Sequence, residues 1–253
     1  MPHADLAKII LHADKILNTR GIGDYEGAVN GLQVANSGRV TRIAATVDAS
    51  LATVNLAIKA RADLLVVHHG LFWSRTHPWK GSRYALIRAL VENDIAIYSS
   101  HLPLDAHPSL GNNAQLCDEL GFKRTAPFFF SHGQDIGLRT VTNISREQLA
   151  TRLKQATGSA PRIIPGGDRI CRHIGVVTGG AGGDLKLAAA SGIDTFITGE
   201  GPHWTYALAE ELGVNVFYAG HYATETFGVK ALAAHLSKKF RLPWVFLDHP
   251  TGL

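Results

Sequence analysis

The chain repeats one pattern of structural elements, and this repeat restricts the folds that it can adopt. Each half contains a strand, a helix, a strand with a polar end, a second helix, a third strand and then a histidine followed four residues later by an acid. Residues 43–70 correspond to residues 174–201 at a constant offset, and His101 corresponds to His221 once a longer tryptophan-containing loop in the first half is allowed for. Two such units related by an approximate two-fold axis would place their polar strand ends opposite each other.

The repeat predicts an α/β fold. Strands that alternate with helices indicate parallel βαβ units, so we expect duplicated pseudo-two-fold α/β units with a metal cleft between them at the strand ends. We place the first half at residues 1–125 and the second half at residues 126–253. Residues 126–170 follow a different pattern, with short strands and a capping-box helix start at Ser145, and predict an inserted α+β segment.

Composition narrows the possible locations and partners. The chain has 253 residues, of which 45% are hydrophobic, and no apolar run approaches the ~20 residues of a spanning helix. The two cysteines form no paired motif and no signal peptide is evident, so we expect a cytoplasmic protein with no membrane association. The basic run Lys238–Arg241 ends an expected helix and lacks interleaved aromatic residues, which disfavours a nucleic-acid partner.

The strand Leu64–Val67 ends in His68, His69 and Gly70. Neighbouring side chains on a strand point to opposite faces, but at a carboxyl end both imidazoles can turn toward a cleft, where α/β sheets bind ligands. One packed and one exposed histidine is the alternative. The repetition of polar strand ends in the second half favours the cleft, and 13 histidines beside two cysteines favour imidazole and carboxylate as metal ligands.

The polar residues at the strand ends form one candidate constellation. Imidazoles with carboxylates suit a divalent transition metal such as zinc, iron or manganese, and two carboxylates allow one of them to bridge a pair of ions. Glu225 is the candidate bridge, with His68 and Asp105 assigned to one ion and His69 and His221 to the other. The alternative is that each His-x-x-x-acid motif only begins a helix. The constellation comprises His68, His69, His101, Asp105, His221, Glu225 and, with weaker support, Glu200.

Two further features have a simpler interpretation beside the functional one. Glu200 is either an exposed acid in a turn or a partner that orients a ligand imidazole. The glycine-rich stretch 179–184 follows a strand, as phosphate-binding loops do, but it lacks the lysine and the spacing of a P-loop. We therefore interpret this stretch as a flexible turn into a helix.

Four motifs, in order along nearly the whole chain, resemble a known family. This family has a dinuclear metal centre, and its members are labelled GTP cyclohydrolase 1 type 2 homologues or NGG-interacting-factor-like proteins. Many relatives have Thr-Asn where this chain has Leu102-Pro103, a difference that affects polar contacts of the loop but not the ligands. The motifs are Asn30-Gly31-Leu32-Gln33-Val34, Val67-His68-His69-Gly70, His101-Leu102-Pro103-Leu104-Asp105 with Gly111-Asn112-Asn113, and Gly220-His221-Tyr222-Ala223-Thr224-Glu225.

The resemblance implies two α/β domains, two metal ions per chain and a ring-shaped homohexamer with the sites facing its interior. The family's metal ligands fall on His68, His69, Asp105, His221 and Glu225, with His101 close by. The family label implies a metal-dependent hydrolase that opens the imidazole ring of GTP at a C–N bond, and so a small, nucleotide-like substrate.

Two functions from different classes follow. In the first, the chain is a dinuclear metal-dependent hydrolase in which His101 shuttles a proton if it is not itself a ligand. In the second, the chain is a non-catalytic metal-binding or regulatory protein whose ions stabilise the fold. Metal content and turnover distinguish the two.

Overall fold

The computed structural model describes residues 2–73 and 78–253, so His77 of the tryptophan-containing loop lies outside the described residues. The chain forms two compact units, the first of Met1–Leu104 with Gly228–His249 and the second of Asp105–Phe227 with Pro250–Leu253. Residues 228–249 thus belong to the first unit, and the expected boundary at residue 125 stays a prediction. Among the described helices, none has both the length and the apolar composition that a bilayer crossing requires.

Strands and helices are interspersed along the described part of the chain. In chain order the elements are β1 (Ala4–Asp5), α1 (Leu6–Leu17), β2 (Gly31–Val34), β3 (Arg39–Val40), β4 (Ile43–Asp48), α2 (Leu51–Lys59), β5 (Leu64–His69), α3 (Ser82–Glu92), β6 (Ala96–Ser99), α4 (Leu102–Asp105), α5 (Asn112–Glu119), β7 (Thr125–Ser131), β8 (Gln134–Ser145), α6 (Arg146–Thr157), β9 (Arg162–Pro165), β10 (Ile170–Val176), a 3₁₀ turn (Ala181–Asp184), α7 (Leu185–Ala190), β11 (Thr195–Thr198), α8 (Thr205–Leu212), β12 (Asn215–Tyr218), α9 (His221–Phe240) and β13 (Trp244–Phe246).

The first unit is built on a five-stranded sheet in the order β13-β4-β5-β6-β2. Strands β13, β4, β5 and β6 are parallel, and β2 is antiparallel to β6. The central strand β5 is buried up to His68, as expected of a strand with both faces covered. Val54, Leu65 and Leu90 belong to the core between this sheet and its helices. The sheet therefore fixes both histidines at the carboxyl end of its central strand.

The second unit contains a six-stranded sheet in the order β7-β8-β10-β11-β12-β9. The strands of residues 126–170 extend the sheet of the second half of the repeat, because β7, β8 and β9 are hydrogen-bonded into it. Leu149 and Leu153 of α6 share one hydrophobic core with Val176 and Phe217. The changed sequence pattern reflects antiparallel strands, whose alternation differs from that of the buried parallel strands.

The predicted duplication is present in the topology of the two sheets. In each unit three parallel strands lie in chain order and an antiparallel strand borders the third, giving β4-β5-β6-β2 in one and β10-β11-β12-β9 in the other. The α/β fold class is thereby confirmed.

Helix α9 begins earlier than the sequence pattern indicated. The sequence pattern predicts a helix from Gly228 after the His221–Glu225 motif, with a helix start at the motif itself as the alternative. The helix extends from His221 to Phe240, in agreement with the alternative. A residue and the one four positions later lie on the same face of a helix, so His221 and Glu225 are neighbours on its first turns. The motif is thus both a helix start and a pair of adjacent side chains that could hold a metal ion.

Candidate metal centre

Three histidines of the first unit form one cluster. His68 and His69 end β5, and His101 follows β6, the strand beside it. Their ring centroids are 4.9 Å apart for His68–His69, 4.9 Å for His68–His101 and 5.7 Å for His69–His101. One ring nitrogen from each lies within 4.8 Å of the other two, a spacing that can hold a metal ion. The structure thus brings together the three histidines that the sequence placed at strand ends.

Each of these imidazoles is oriented by an acceptor at its Nδ1 atom. His69 donates to the Asp48 carboxylate at 2.8 Å, and His68 donates to the carbonyl oxygen of Ser100 at 2.9 Å. A carboxylate or carbonyl oxygen can only accept, so the Nδ1 atom bears the hydrogen. Nε2 is then the atom of each ring that would bind a metal, the arrangement that outer partners of histidine ligands usually impose.

Asp24 orients His101 in the same way. Its carboxylate accepts from His101 Nδ1 at 2.8 Å and from Asn30 Nδ2 at 2.7 Å, and the Asp24 side chain is only 6% exposed. Burial raises the pKa of Asp24, but the hydrogen bonds and charge of its partners, His101 above all, lower it below its ordinary value. Asp24 therefore remains ionised beside His101 and fixes its tautomer.

The Asn30–Val34 motif supports this cluster from β2. Asn30 accepts from the backbone N–H of His101 at 2.7 Å, and Gln33 accepts from the backbone N–H of Leu71 at 2.6 Å, just after the His69–Gly70 turn. A Cβ atom on Gly70 would collide with the side-chain amide of Gln33. The motif thus holds both histidine-bearing turns in place.

Three further candidate residues lie close together in the second unit: His221, Glu225 and Glu200. His221 Nε2 is 3.2 Å from Glu225 Oε2, and His221 Nδ1 donates to Glu200 Oε1 at 2.8 Å. Burial lowers the pKa of His221, but the hydrogen bonds and charges of Glu225 and Glu200 outweigh burial and raise the pKa to about 9. Glu200 is therefore the orienting partner that the sequence left as an alternative to a simple exposed acid.

Gly179 adjoins Glu225. It adopts φ +72°, and a Cβ atom at this position would collide with Glu225 Oε1 and lie 3.5 Å from His221 Nε2. Its backbone N–H donates to Thr224 at 3.1 Å, and its carbonyl accepts from Thr198 at 3.1 Å. The sequence pattern predicts a flexible turn for the glycine-rich stretch. In the structure, the backbone of this stretch lies directly against the side chain of the candidate ligand Glu225.

Polar side chains of the second unit hold Asp105 in place. Its Oδ1 accepts from Asn112 Nδ2 at 2.8 Å and is 3.5 Å from the Thr178 hydroxyl, while Asn113 donates to its carbonyl at 3.3 Å. In the part of the chain that the structure describes, Asp105 belongs to no group of three metal-ligating atoms. Its assignment as a ligand stays a prediction, with Asn112 as its anchor.

Sequence analysis missed two of the orienting acids. Asp48 ends β4 directly beside His69 of β5, so the register of two neighbouring strands could have indicated it. Asp24 lies in a segment outside the repeated pattern and 77 residues from His101, and no local signal marks it.

The sequence matches a known family along almost its full length. The model of the family described as Duf34/NIF3 (NGG1p interacting factor 3) matches residues 4–251. The "GTP cyclohydrolase 1 type 2 homolog" of Deinococcus radiodurans is 42% identical over 92% of this chain and 89% of its own length. The protein of the same name from Pseudomonas aeruginosa is 38% identical over 97% of each chain.

Solved structures agree with this assignment. TTHA1606 from Thermus thermophilus superposes with a TM-score of 0.91 at 41% identity, covering 99% of this chain and 100% of that one. Reduced HcgD from Methanocaldococcus jannaschii superposes with a TM-score of 0.86 at 26% identity, covering 98% and 99%. The fold is therefore shared with these proteins throughout the chain.

Proposed function

Because the chain belongs to the Duf34/NIF3 (NGG1p interacting factor 3) family, we propose that it is a metal-dependent hydrolase with two divalent ions per chain. The proposed ions are zinc, iron or manganese, and the proposed substrate is a small, nucleotide-like molecule opened at a C–N bond. The names of the relatives, as GTP cyclohydrolase 1 type 2 homologues, support this substrate class. The proposed ligands are His68, His69, Asp105, His221 and Glu225.

One observation carries the proposal. Four imidazoles, at His68, His69, His101 and His221, each donate from Nδ1 to an acceptor, and three of the acceptors are carboxylates. Carboxylate-oriented imidazole is the typical environment of histidine metal ligands, and the donor set of imidazole and carboxylate fits the proposed metals. Two bound ions would supply an activated water and polarise the bond under attack.

His101 is the proposed proton shuttle. Asp24 holds the hydrogen on Nδ1, so Nε2 is positioned to take a proton from the attacking water and later deliver one to the leaving nitrogen. Trp73 and Tyr25 pack against the ring, with centroids 4.7 Å and 5.8 Å away, and restrict its motion. His101 can instead serve as a metal ligand, since one of its ring nitrogens lies within 4.8 Å of a ring nitrogen of His68 and of His69.

Glu225 is the proposed bridge between the ions. Its side chain is 4% exposed and beside His221 Nε2, so it has the burial and the neighbour expected of a ligand. Glu225→Gln keeps the size of the side chain but removes its charge. We expect this variant to lose most of one metal equivalent while it remains folded, and full retention of both ions would contradict the bridging role.

The first experiment is elemental analysis of the tag-free protein, with protein quantified by amino-acid analysis. We expect about two transition-metal equivalents per chain, falling in His69→Ala. The metal-loaded protein is then assayed for opening of the GTP imidazole ring. Two ions without turnover on GTP or related nucleotides would instead support a non-catalytic metal-binding protein, and near-zero metal after incubation with zinc, iron or manganese would contradict both.

The proposal extends to assembly and location. We propose that the chain forms the homohexamer that the family resemblance implies. Cys117 and Cys171 are buried free thiols, and burial raises the pKa of Cys117 to about 12. Unreactive free thiols are consistent with the proposed cytoplasmic location. Light scattering of the protein as it elutes from a size-exclusion column gives the number of chains per oligomer.

A further inference from the structure

A basic groove lies in the first unit, and its lining residues are different from those of the histidine cluster. It has a volume of about 650 Å³ and is lined by the starts of β1 and α1, the turn before β3 and the end of α9. Lys8, Arg39, Lys239 and Arg241 supply four cationic side chains from three separate segments of the chain. Their convergence means that the basic run at the end of α9 is one side of a larger positive surface.

The groove lining has an excess of positive charge, because it contains these four cationic side chains and one carboxylate, Asp5. Among the described residues, none of the four forms an ion pair with a carboxylate. Asp5 is the carboxylate in the lining, and it caps α1 by accepting from the backbone N–H of Lys8 at 3.0 Å. Four like charges around one groove repel each other, and an anion bound between them would relieve this repulsion.

A helix-end role explains only part of this arrangement. Lys239 lies in the last turn of α9, where a cation interacts favourably with the helix dipole. Lys8, however, lies in the first turns of α1, where a cation opposes the dipole, and Arg39 is on a two-residue strand. Neither position gains from helix electrostatics. Their placement around the groove therefore fits a ligand better than a set of independently solvated charges.

We propose that this groove binds the di- or triphosphate group of a small ligand. Lysine and arginine are the side chains that bind phosphate oxygens through charge-assisted hydrogen bonds, and several of them suit several adjacent phosphates. The volume falls in the ~300–1,000 Å³ range of small-molecule sites. The site is separate from the proposed metal centre and does not depend on the hydrolase function.

Calorimetric titration with inorganic tripolyphosphate tests the proposal. The test variant is K8Q/K239Q, and the matched control is K59Q/K186Q, which removes two exposed helical lysines outside the groove. Because phosphate also binds metal ions, the metal content of all three proteins is measured before and after titration. A parallel titration uses a single-stranded DNA of about twelve nucleotides, a length within the ~4–16 nucleotides of common single-strand sites.

We expect tripolyphosphate to bind the wild type and the control with the same affinity and K8Q/K239Q about tenfold or more weakly, as expected when two charged contacts are lost. Added salt should weaken the binding, because the groove is exposed. Equal affinity in all three proteins, or no binding to the wild type, would overturn the proposal. Binding of the DNA but not of tripolyphosphate would overturn the assignment to a small ligand.

Discussion

Carboxylates orient the candidate ligands at the level of single residues. Asp48 fixes His69, Asp24 fixes His101 and Glu200 fixes His221, each at 2.8 Å from Nδ1. The repeat aligns Glu200 with His69 and His221 with His101. Equivalent sequence positions of the two copies therefore carry different residue types, with an acid in one copy where the other has a candidate ligand histidine.

The two missed acids should differ in what their loss changes. Asp24→Asn leaves the candidate ligands in place but removes the negative charge beside the proposed shuttle, so we expect turnover to fall about 10–100-fold with the metal retained. Asp48→Asn releases His69, a proposed ligand, so we expect metal affinity to fall by a similar factor. Elemental analysis and turnover of both variants make the comparison, and metal loss in Asp24→Asn would show that His101 is a ligand.

Gly179 permits the close approach to Glu225. In Gly179→Ala the Cβ atom would collide with Glu225, so we expect metal affinity to fall about tenfold or more, as when an outer contact of a ligand is disrupted. Gly192→Ala is the matched control, since Gly192 has a similar φ of +79° but nothing within 4 Å of the added atom. Equal metal content in the two variants would show that Glu225 tolerates displacement.

At the scale of secondary structure, α1 and α9 contact each other through a pair of histidines. The Nε2 atoms of His12 and His235 are 2.9 Å apart, and the rings are stacked with an interplanar angle of 2°. The edge of Phe240 meets His12 at a centroid distance of 5.8 Å. Burial lowers the pKa of His12, and the charges of His235, Lys239 and Lys15 lower it further.

This helix contact should weaken as the pH falls. The pKa of His12 is lower in the folded than in the unfolded state, so between the two values the unfolded chain binds more protons. His12 therefore stabilises the fold most above its ordinary pKa of 6.5, and this contribution is lost as the pH falls toward the lowered pKa. Urea titrations from pH 8 to about pH 5 should show a smaller loss of unfolding free energy in His12→Asn than in the wild type.

The exposed His203 provides the control for this measurement. His203→Asn should leave the pH dependence of the wild type unchanged, because this side chain lies on the surface of the second unit. An unchanged slope in His12→Asn would show that the pair of histidines does not couple protonation to folding.

At the scale of the whole molecule, the proposed metal ions should add to the stability of the folded chain. A metal that binds only the folded chain stabilises it by mass action. At a concentration ~100-fold above Kd this stabilisation is about 2.7 kcal/mol per ion, or roughly 5–10 °C in Tm for a chain of this size.

Chelation should therefore lower the Tm by roughly this amount for each ion removed, and added metal should restore it. Scanning calorimetry of the native, chelated and reloaded protein measures the change. Glu225→Gln, with fewer ions to lose, should show a smaller shift on chelation. An identical Tm with and without metal would indicate that ion binding is not coupled to folding.

The amino-acid sequence alone determined the repeat, the α/β class and the position of the histidines at strand ends, because these depend on the local alternation of apolar and polar residues. The sequence pattern predicted most helices to within a few residues, but it predicted that α9 begins at Gly228, whereas the helix begins at His221. The polar residues of the His221–Glu225 motif fit a loop as well as a first helical turn, so the pattern does not show where the helix begins. It also separated residues 126–170, although their strands complete the second sheet.

Only the tertiary structure decided which groups act together. Asp24 meets His101 across 77 residues of sequence, Gly179 approaches Glu225, and Lys8 lines a groove with Lys239. Such pairs form when segments distant in sequence pack together, and they cannot be predicted from short-range sequence patterns. Secondary structure is encoded mainly by neighbours in sequence, whereas the electrostatics of a site depend on neighbours in space.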